Sequence, residues 1–238
     1  MYGWRMRIGL MVPASNTTIE SELWRMVPSG VSVHTARMLL GKVNEEDLIK
    51  MEEHVETAAR ELANADVDII AFGCTTGSLV KGKGYDEQIS DKIASITGIP
   101  AVTTSTAVLD ALHSLDVKKV GVVTPYIDEL NKLEKAFLKA NGINVVEIKG
   151  LELLDNIDIG KQEPYIPYKL VKSLTMAECD GFFISCTNFR SIEIIEMLEG
   201  EIKKPVISSN QATLAAILKK GGINLTAVSG YGSLFRRA

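Results

Sequence analysis

The chain has little of what most cofactor, metal and nucleic-acid chemistry requires. Its 238 residues include only three cysteines and three histidines. Cys74, Cys179 and Cys186 form no Cys-x-x-Cys pair and no disulfide framework, which suits a reducing compartment. His34, His54 and His113 stand far apart, so no zinc site is expected, and the reading starts from chemistry without metal or cofactor. There is no excess of positive charge: the formal net charge is −4, which argues against nucleic acid as a partner, since phosphate binding needs a basic face. No apolar run approaches the roughly 20 residues of a membrane span, so no membrane partner is expected. The first strand-like run begins at residue 6, which leaves no room for a signal peptide. A cytoplasmic location is therefore expected.

What is present is an ordinary globular composition, 46% hydrophobic and 24% charged with seven prolines. It is enough for one large domain or two of roughly 110–120 residues, each able to bury a core. Val- and Ile-rich runs at 6–12, 31–38, 67–72, 100–103, 117–124, 144–148, 181–185 and 205–208 read as strands buried on both faces. Between them, helix patterns fall at 17–26, 45–65, 85–97, 105–115, 128–141, 164–177, 191–198 and 211–219. The apolar stripe Leu48, Met51, Val55, Ala58, Ala59 and Leu62 marks one clearly. This alternation predicts an α/β fold with parallel sheets. No linker separates the halves. A first crossing near 113–117 and a return near 208–211 predict an N-terminal lobe of residues 1–113 plus 210–238 and a C-terminal lobe of residues 114–209. The last six residues read as a surface tail or a short strand.

Two segments carry the chemistry, Gly73-Cys74-Thr75-Thr76-Gly77-Ser78 and Ser185-Cys186-Thr187-Asn188. Each follows a strand run, leads toward a helix pattern, and sits close to half a chain length from the other. Two similar lobes with pseudo-twofold symmetry, facing across a cleft, would put one thiol on each side of a bound molecule. Open α/β sheets bind ligands at the carboxyl ends of their strands. A helix start there offers free N–H groups and a partial positive charge that lowers a thiol pKa. Thr75, Thr76, Ser78, Thr187 and Asn188 add donors suited to a carboxylate. Cys179 reads as a small buried residue. After the first strand, Ser15 or Asn16 is either a helix cap, with Glu20 reaching back, or, for Asn16, a donor to substrate. Tyr126, in the equivalent loop of the second half, either offers its phenol to the cleft or packs on the next helix.

Four motifs in order, Pro-x-Ser-Asn-Thr-Thr-x-Glu at 13–20, Gly-Cys-Thr-Thr-Gly-Ser at 73–78, Thr-Pro-Tyr at 124–126 and Ser-Cys-Thr-Asn at 185–188, resemble the maleate cis–trans isomerase family. This family lies within the cofactor-independent aspartate/glutamate racemase superfamily and has arylmalonate decarboxylase as a relative. The resemblance implies Cys74 as nucleophile, Cys186 as the opposing acid/base, and Asn16, Tyr126 and, by a looser match, Asn156 as substrate contacts. It implies a lid after the second strand, here Leu39, Leu40, Gly41 and Val43, for which ordinary packing ahead of the next helix is the alternative. It further implies a small dicarboxylate substrate, no cofactor, and a homo-oligomer, dimer or higher.

The same scaffold serves a two-cysteine amino-acid racemase of the aspartate/glutamate or hydantoin type, and fold alone does not separate the two. The asparagine-threonine signature at 16–18 favours the isomerase. A decarboxylase reading is weaker, since that relative has glycine in place of the first cysteine. A two-lobed dicarboxylate sensor is the reading from another class, although pure binding needs no pair of thiols. Cys74→Ser separates the classes: a sensor keeps ligand affinity by calorimetry, whereas an enzyme loses turnover.

Overall fold

A computed structural model describes residues 2–236. Eight strands form two four-stranded, all-parallel sheets. In the first, β1 (Met6–Pro13), β2 (Val31–Met38), β3 (Ile69–Phe72) and β4 (Ala101–Thr103) lie in the order β2-β1-β3-β4. In the second, β5 (Lys119–Val123), β6 (Asn144–Lys149), β7 (Gly181–Ile184) and β8 (Val206–Ser208) lie in the order β6-β5-β7-β8. The two orders are the same topology used twice, and the expected strands are present with bounds shifted by no more than two residues.

The helices of the first lobe are α1 (Ile19–Met26), α2 (Glu45–Lys50), α3 (Val55–Asn64), α4 (Thr75–Leu79), α5 (Tyr85–Thr97) and α6 (Thr104–Ser114). Then come α7 (Asp128–Ala140), α8 (Asn156–Gly160), α9 (Tyr165–Lys172), α10 (Ile195–Ile202) and α11 (Ser209–Lys220). Local chemistry explains several of their limits. α7 has Asp128 and Glu129 in its first turn and Lys139 in its last, which suits the helix dipole. α11 starts on a full capping box, with Ser208 and Gln211 satisfying each other's backbone N–H.

Strand alternation divides the interior into two cores. Ile8, Leu10 and Val12 of β1, Ile69 and Ala71 of β3, Val120 and Val122 of β5, and Phe183 of β7 share a central core with residues of α1, α6, α7 and α11. Their alternate neighbours Met11, Ile70, Phe72, Val123, Phe182 and Ile184 belong to a second core with α3, α5, α9 and α10. At roughly 1.5–3 kcal/mol for each fully buried large apolar side chain, these cores hold the lobes together. α11 packs on α6 and α1. Among the described residues no helix is long and apolar enough to cross a membrane.

Four expectations need correction. The helix read at 45–65 is broken by a 3₁₀ turn, Met51–His54, although its apolar stripe is buried as the pattern required. The helix read from 191 starts at Ile195, because the N–H groups of Ser191 and Ile192 donate to the Glu22 carboxylate. The segment 164–177 is α9 followed by a 3₁₀ turn at Met176–Glu178. The C-terminal segment is neither tail nor strand: Ser233–Arg236 is a 3₁₀ turn that buries Leu234 and Phe235 in the central core. Arg237 and Ala238, part of the same expectation, lie outside the described residues.

Leu214 is fully buried on α11 in the central core. Leu214→Ala is expected to destabilise the protein by about 2–5 kcal/mol, the usual range for a core leucine, read from urea unfolding.

Candidate active site

In each sheet the chain runs from an inner strand (β1, β5) outward on one side and returns on the other (β3, β7), which makes a topological switch point at each pair. The carboxyl ends of these four strands meet between the lobes. Gly73 N–H donates to Met11 O (2.7 Å) and Ser185 N–H to Val123 O (2.9 Å), so equivalent ladder bonds immediately precede the two cysteines. Cys74 and Cys186 line one cavity of ≈ 260 Å³, with Pro13, Asn16, Leu40, Val43, Leu48, Thr75, Thr76, Tyr126, Asn156 and Thr187. No lysine or arginine is in this wall.

The two thiols are held differently. Cys74 is the N-cap residue of α4, at a helix start as expected, and the nearby Gly77 N–H and Thr76 side chain favour its thiolate. Gly77 is glycine for a reason of space, since a Cβ there would come within 2.9 Å of the Cys74 sulfur. Cys186, expected at a helix start, is not at one. Its φ is +98°, a left-handed conformation that costs a non-glycine residue on the order of 1–2 kcal/mol. The turn is held by Cys186 N–H donating to Ser209 Oγ (3.1 Å) and Asn188 N–H donating to the Cys186 sulfur (3.3 Å). The Tyr126 hydroxyl lies close enough to that sulfur to favour its thiolate. Thr75 Oγ1 donates to the same Ser209 Oγ (2.8 Å), so one hydroxyl ties both cysteine loops together.

Burial is the largest influence on both thiols. Desolvation pushes Cys74 up to about 11, against the hydrogen bonds from Gly77 and Thr76. Desolvation pushes Cys186 to about 12; the Tyr126 and Asn188 hydrogen bonds oppose it, and the nearby Cys74 and Glu134 add to it. Tyr126 is held well above its ordinary value, first by burial and then by the charges of Cys186 and Glu134. At Cys74 the N–H of Gly77 in the first turn of α4 acts in the expected downward direction, but burial outweighs it.

A dense set of bonds joins the loop after β1 to the loop after β7. Asn16 Nδ2 donates to Thr187 Oγ1 (3.0 Å), and Thr187 Oγ1 donates to Gly73 O (3.1 Å). Thr17 N–H donates to Asn188 Oδ1 (2.9 Å) and Thr18 Oγ1 to Asn188 O (3.1 Å). Asn188 Nδ2 donates to Asn156 O (2.6 Å), while Asn156 Nδ2 donates to Ser15 Oγ (2.9 Å). Glu22, 2% exposed, accepts Ser191 N–H (2.8 Å), Ile192 N–H (3.3 Å) and Asn210 Nδ2 (2.6 Å).

Of the residues singled out from sequence, Cys74, Cys186, Asn16, Thr75, Thr76, Tyr126, Asn156 and Thr187 come together in the cavity wall, as do Leu40 and Val43 of the lid segment. Ser78 is not among them: its hydroxyl is turned back onto Cys74 O and Thr75 O. Asn188 lies behind Asn156 and braces it. Leu39 is 68% exposed and does not line the cavity. Gly41 packs against Asp47, whose carboxylate a Cβ would approach to 2.5 Å. Asn16 meets both of its readings, since Oδ1 accepts the N–H groups of Thr18 and Ile19 at the start of α1 while the amide faces Thr187. Glu20 does not reach back; it pairs with Arg37 (2.8 Å), which also bonds Ala14 O and Asn16 O. Sequence reasoning missed Ser209, Asn210, Glu22 and Glu134. The two carboxylates had a usable signal, a charged residue placed among the core positions of an amphipathic helix.

A family model described as arylmalonate decarboxylase matches residues 8–235. The chain belongs to the arylmalonate decarboxylase and maleate isomerase family. It is 32% identical to the maleate isomerase of Geobacillus stearothermophilus, over 96% of each chain. Its fold overlays the structure of a Nocardia farcinica maleate cis–trans isomerase mutant with a covalently bound succinylcysteine intermediate at a TM-score of 0.94, with 28% identity and coverage of 98% and 99%. The Pseudomonas putida S16 maleate isomerase solved with maleate gives a TM-score of 0.93 and 28% identity, covering 97% of each chain. Family membership and the shared two-lobe architecture thus rest on nearly the whole chain.

Burial raises the Glu22 carboxyl from 4.5 to about 7, against its hydrogen bonds from Asn210, Ser191 and Ile192. Folded Glu22 therefore holds its proton more tightly than unfolded Glu22, so this residue's contribution to stability falls as pH rises from about 4.5 to about 7. Glu22→Gln should remove that slope, seen as a shallower fall of the urea midpoint across the same window than in the unmodified protein.

Proposed function

We propose that this protein isomerises maleate to fumarate without a cofactor, with Cys74 as nucleophile and Cys186 as the acid and base. The observation that carries the reading is the pair of differently held thiols lining one cavity at the strand ends. It is supported by family membership and by the succinylcysteine found in the Nocardia farcinica relative.

Cys74, as a thiolate, adds its sulfur to one alkene carbon; an S–C bond forms and the C=C π pair moves to the neighbouring carbon and its carboxylate. The Thr76 hydroxyl and the second amide hydrogens of Asn16 and Asn156 supply neutral donors for the two carboxylates, where charge develops, while Thr75 and Thr187, whose hydroxyls donate to Ser209 and Gly73, shape the wall. Cys186 gives its proton to the carbanion, leaving a succinyl-cysteine and a Cys186 thiolate that the Tyr126 hydroxyl and the Asn188 N–H stabilise. The former double bond is now single and rotates. Cys186 takes a proton back from the same carbon, the S–C bond to Cys74 breaks, and fumarate leaves. Atoms and protons balance without redox change.

Leu40 and Val43 cover this cavity, and Val43 N–H donates to Leu154 O (2.9 Å) of the opposite lobe. We read the segment as a lid: its closure keeps water from the carbanion, and its opening breaks that single backbone bond. Free thiols at both centres fit a reducing cytoplasm, and we take the protein to work there as a homo-oligomer.

Proton NMR of the protein with maleate in deuterated buffer should show fumarate appearing. Cys74→Ala and Cys186→Ala should each lower turnover by roughly 10³-fold or more, as removing one member of a concerted pair does. Cys179→Ala should stay near the unmodified rate. Maleate left unchanged by the unmodified protein, or near-normal isomerisation by Cys74→Ala, would defeat the reading.

A further inference from the structure

One buried carboxyl stands beside the site with no part in the reaction above. Glu134 is fully buried on α7. Its Oε1 accepts the Ser185 hydroxyl at 2.6 Å, and its Oε2 is buried with no hydrogen-bond partner. Ser185 is the residue immediately before Cys186 and its strained left-handed turn. Three residues earlier on the same helix is Asn131, also buried. Its Oδ1 accepts the Thr124 hydroxyl at 2.6 Å and its Nδ2 donates to Tyr126 O at 3.3 Å. A spacing of three places both side chains on one face of the helix. That face is otherwise apolar, with Leu130, Phe137 and Leu138 buried on it.

The two polar residues therefore reach two different loops. Asn131 reaches the loop that carries Tyr126, and Glu134 reaches the residue that sets the start of the Cys186 turn. Tyr126 and Cys186 stand together in the second lobe's part of the cavity wall, each affecting the other's ionisation.

We infer that Asn131 and Glu134 form a positioning pair on α7 that holds the acid side of the site, Asn131 the Tyr126 loop and Glu134 the Cys186 turn. The inference rests on the reading of Cys186 as acid and base given above. Burying a carboxyl costs several kcal/mol if it stays charged, and an apolar residue would fill this core position at no such cost. Burial accordingly pushes Glu134 up to about 7. What the carboxyl provides in return is an acceptor for Ser185, and with it a fixed origin for a turn that a non-glycine residue does not adopt unaided. Glu134 touches no substrate in this scheme; it acts through Ser185.

Three variants test this. Ser185→Ala and Glu134→Leu remove the hydrogen bond from either end, and Glu134→Gln keeps an acceptor while removing the ionisable group. Ser185→Ala and Glu134→Leu should lower kcat for maleate by roughly 10–100-fold, the scale of an ångström-level misplacement of a catalytic group, with KM changed less than about threefold. Glu134→Gln should stay within about threefold of the unmodified protein. The double variant Ser185→Ala/Glu134→Leu should be no slower than the slower single one, because both remove one interaction. Unchanged kcat in Ser185→Ala, or fully additive losses, would overturn the inference, and Ser185→Ala decides the matter even if Glu134→Leu fails to fold. A second readout is independent of the substrate: alkylation of Cys186 by iodoacetamide, followed by mass spectrometry. A loosened turn exposes the thiol, so Cys186 should react about fivefold faster or more in Ser185→Ala while Cys74 does not change. An unmodified protein inactive on maleate would overturn the proposed function, and the alkylation rates would still decide the positioning role: equal Cys186 rates would reject it.

Discussion

The site depends on the bonds that fasten the loop after β1 to the loop after β7. Asn188 takes Thr17 N–H and the Thr18 hydroxyl, Thr187 receives the Asn16 amide, and Glu22 receives the N–H groups of Ser191 and Ile192. A typical hydrogen bond contributes only about 0.5–1.5 kcal/mol net, but a buried polar group left unpaired costs more than that. In this interface the partners come from opposite lobes, and Asn16, Glu22, Thr187 and Asn188 are all buried. Separating the loops would strand many of these groups at once. The lobes are thus held in register at the level of the two thiols, and the cavity wall is a property of the joined pair rather than of either lobe.

With this seam held, motion is left to the opposite rim of the cavity. There Leu40 and Val43 cover the thiols, and Val43 N–H bonds Leu154 O. A firm seam on one side and a light contact on the other is a reasonable arrangement for a site that must exclude water yet admit a small molecule. The sharp inward turn of Cys186 belongs to the firm side, braced by Ser209, Asn188 and, through Ser185, Glu134.

The near-repeat of strand, cysteine, threonine in the two halves does not show how two such similar loops make their thiols differ, and the structure does. Cys74 starts a short helix, with Gly77 and Thr76 beside its sulfur. Cys186 adopts φ +98° and takes the Asn188 N–H on its sulfur beside Tyr126, with the Glu134 carboxyl nearby raising its pKa further. The difference arises from partners distant in sequence. In both cases desolvation is the largest effect, and at Cys74 it outweighs the N–H of the helix start.

Patterns with short periods were legible in the sequence because they record local rules. Continuous Val/Ile runs gave eight parallel strands, and the two Cys-Thr segments at strand ends gave the cavity's two thiols, since strand order and strand ends place a loop regardless of what it later touches. The stripe from Leu48 to Leu62 was also correct about burial, though not about the 3₁₀ break at Met51–His54. Only the tertiary structure decided the rest. Glu22 delays the start of α10 by taking its first N–H groups, and the buried Leu234 and Phe235 turn an apparent tail into part of the core. Ser78 and Asn188 brace the wall without lining it, while Ser209 and Glu134 support a cysteine from elements far along the chain. Each of these depends on which groups are buried together and must satisfy one another, and no local pattern along a single chain encodes that pairing.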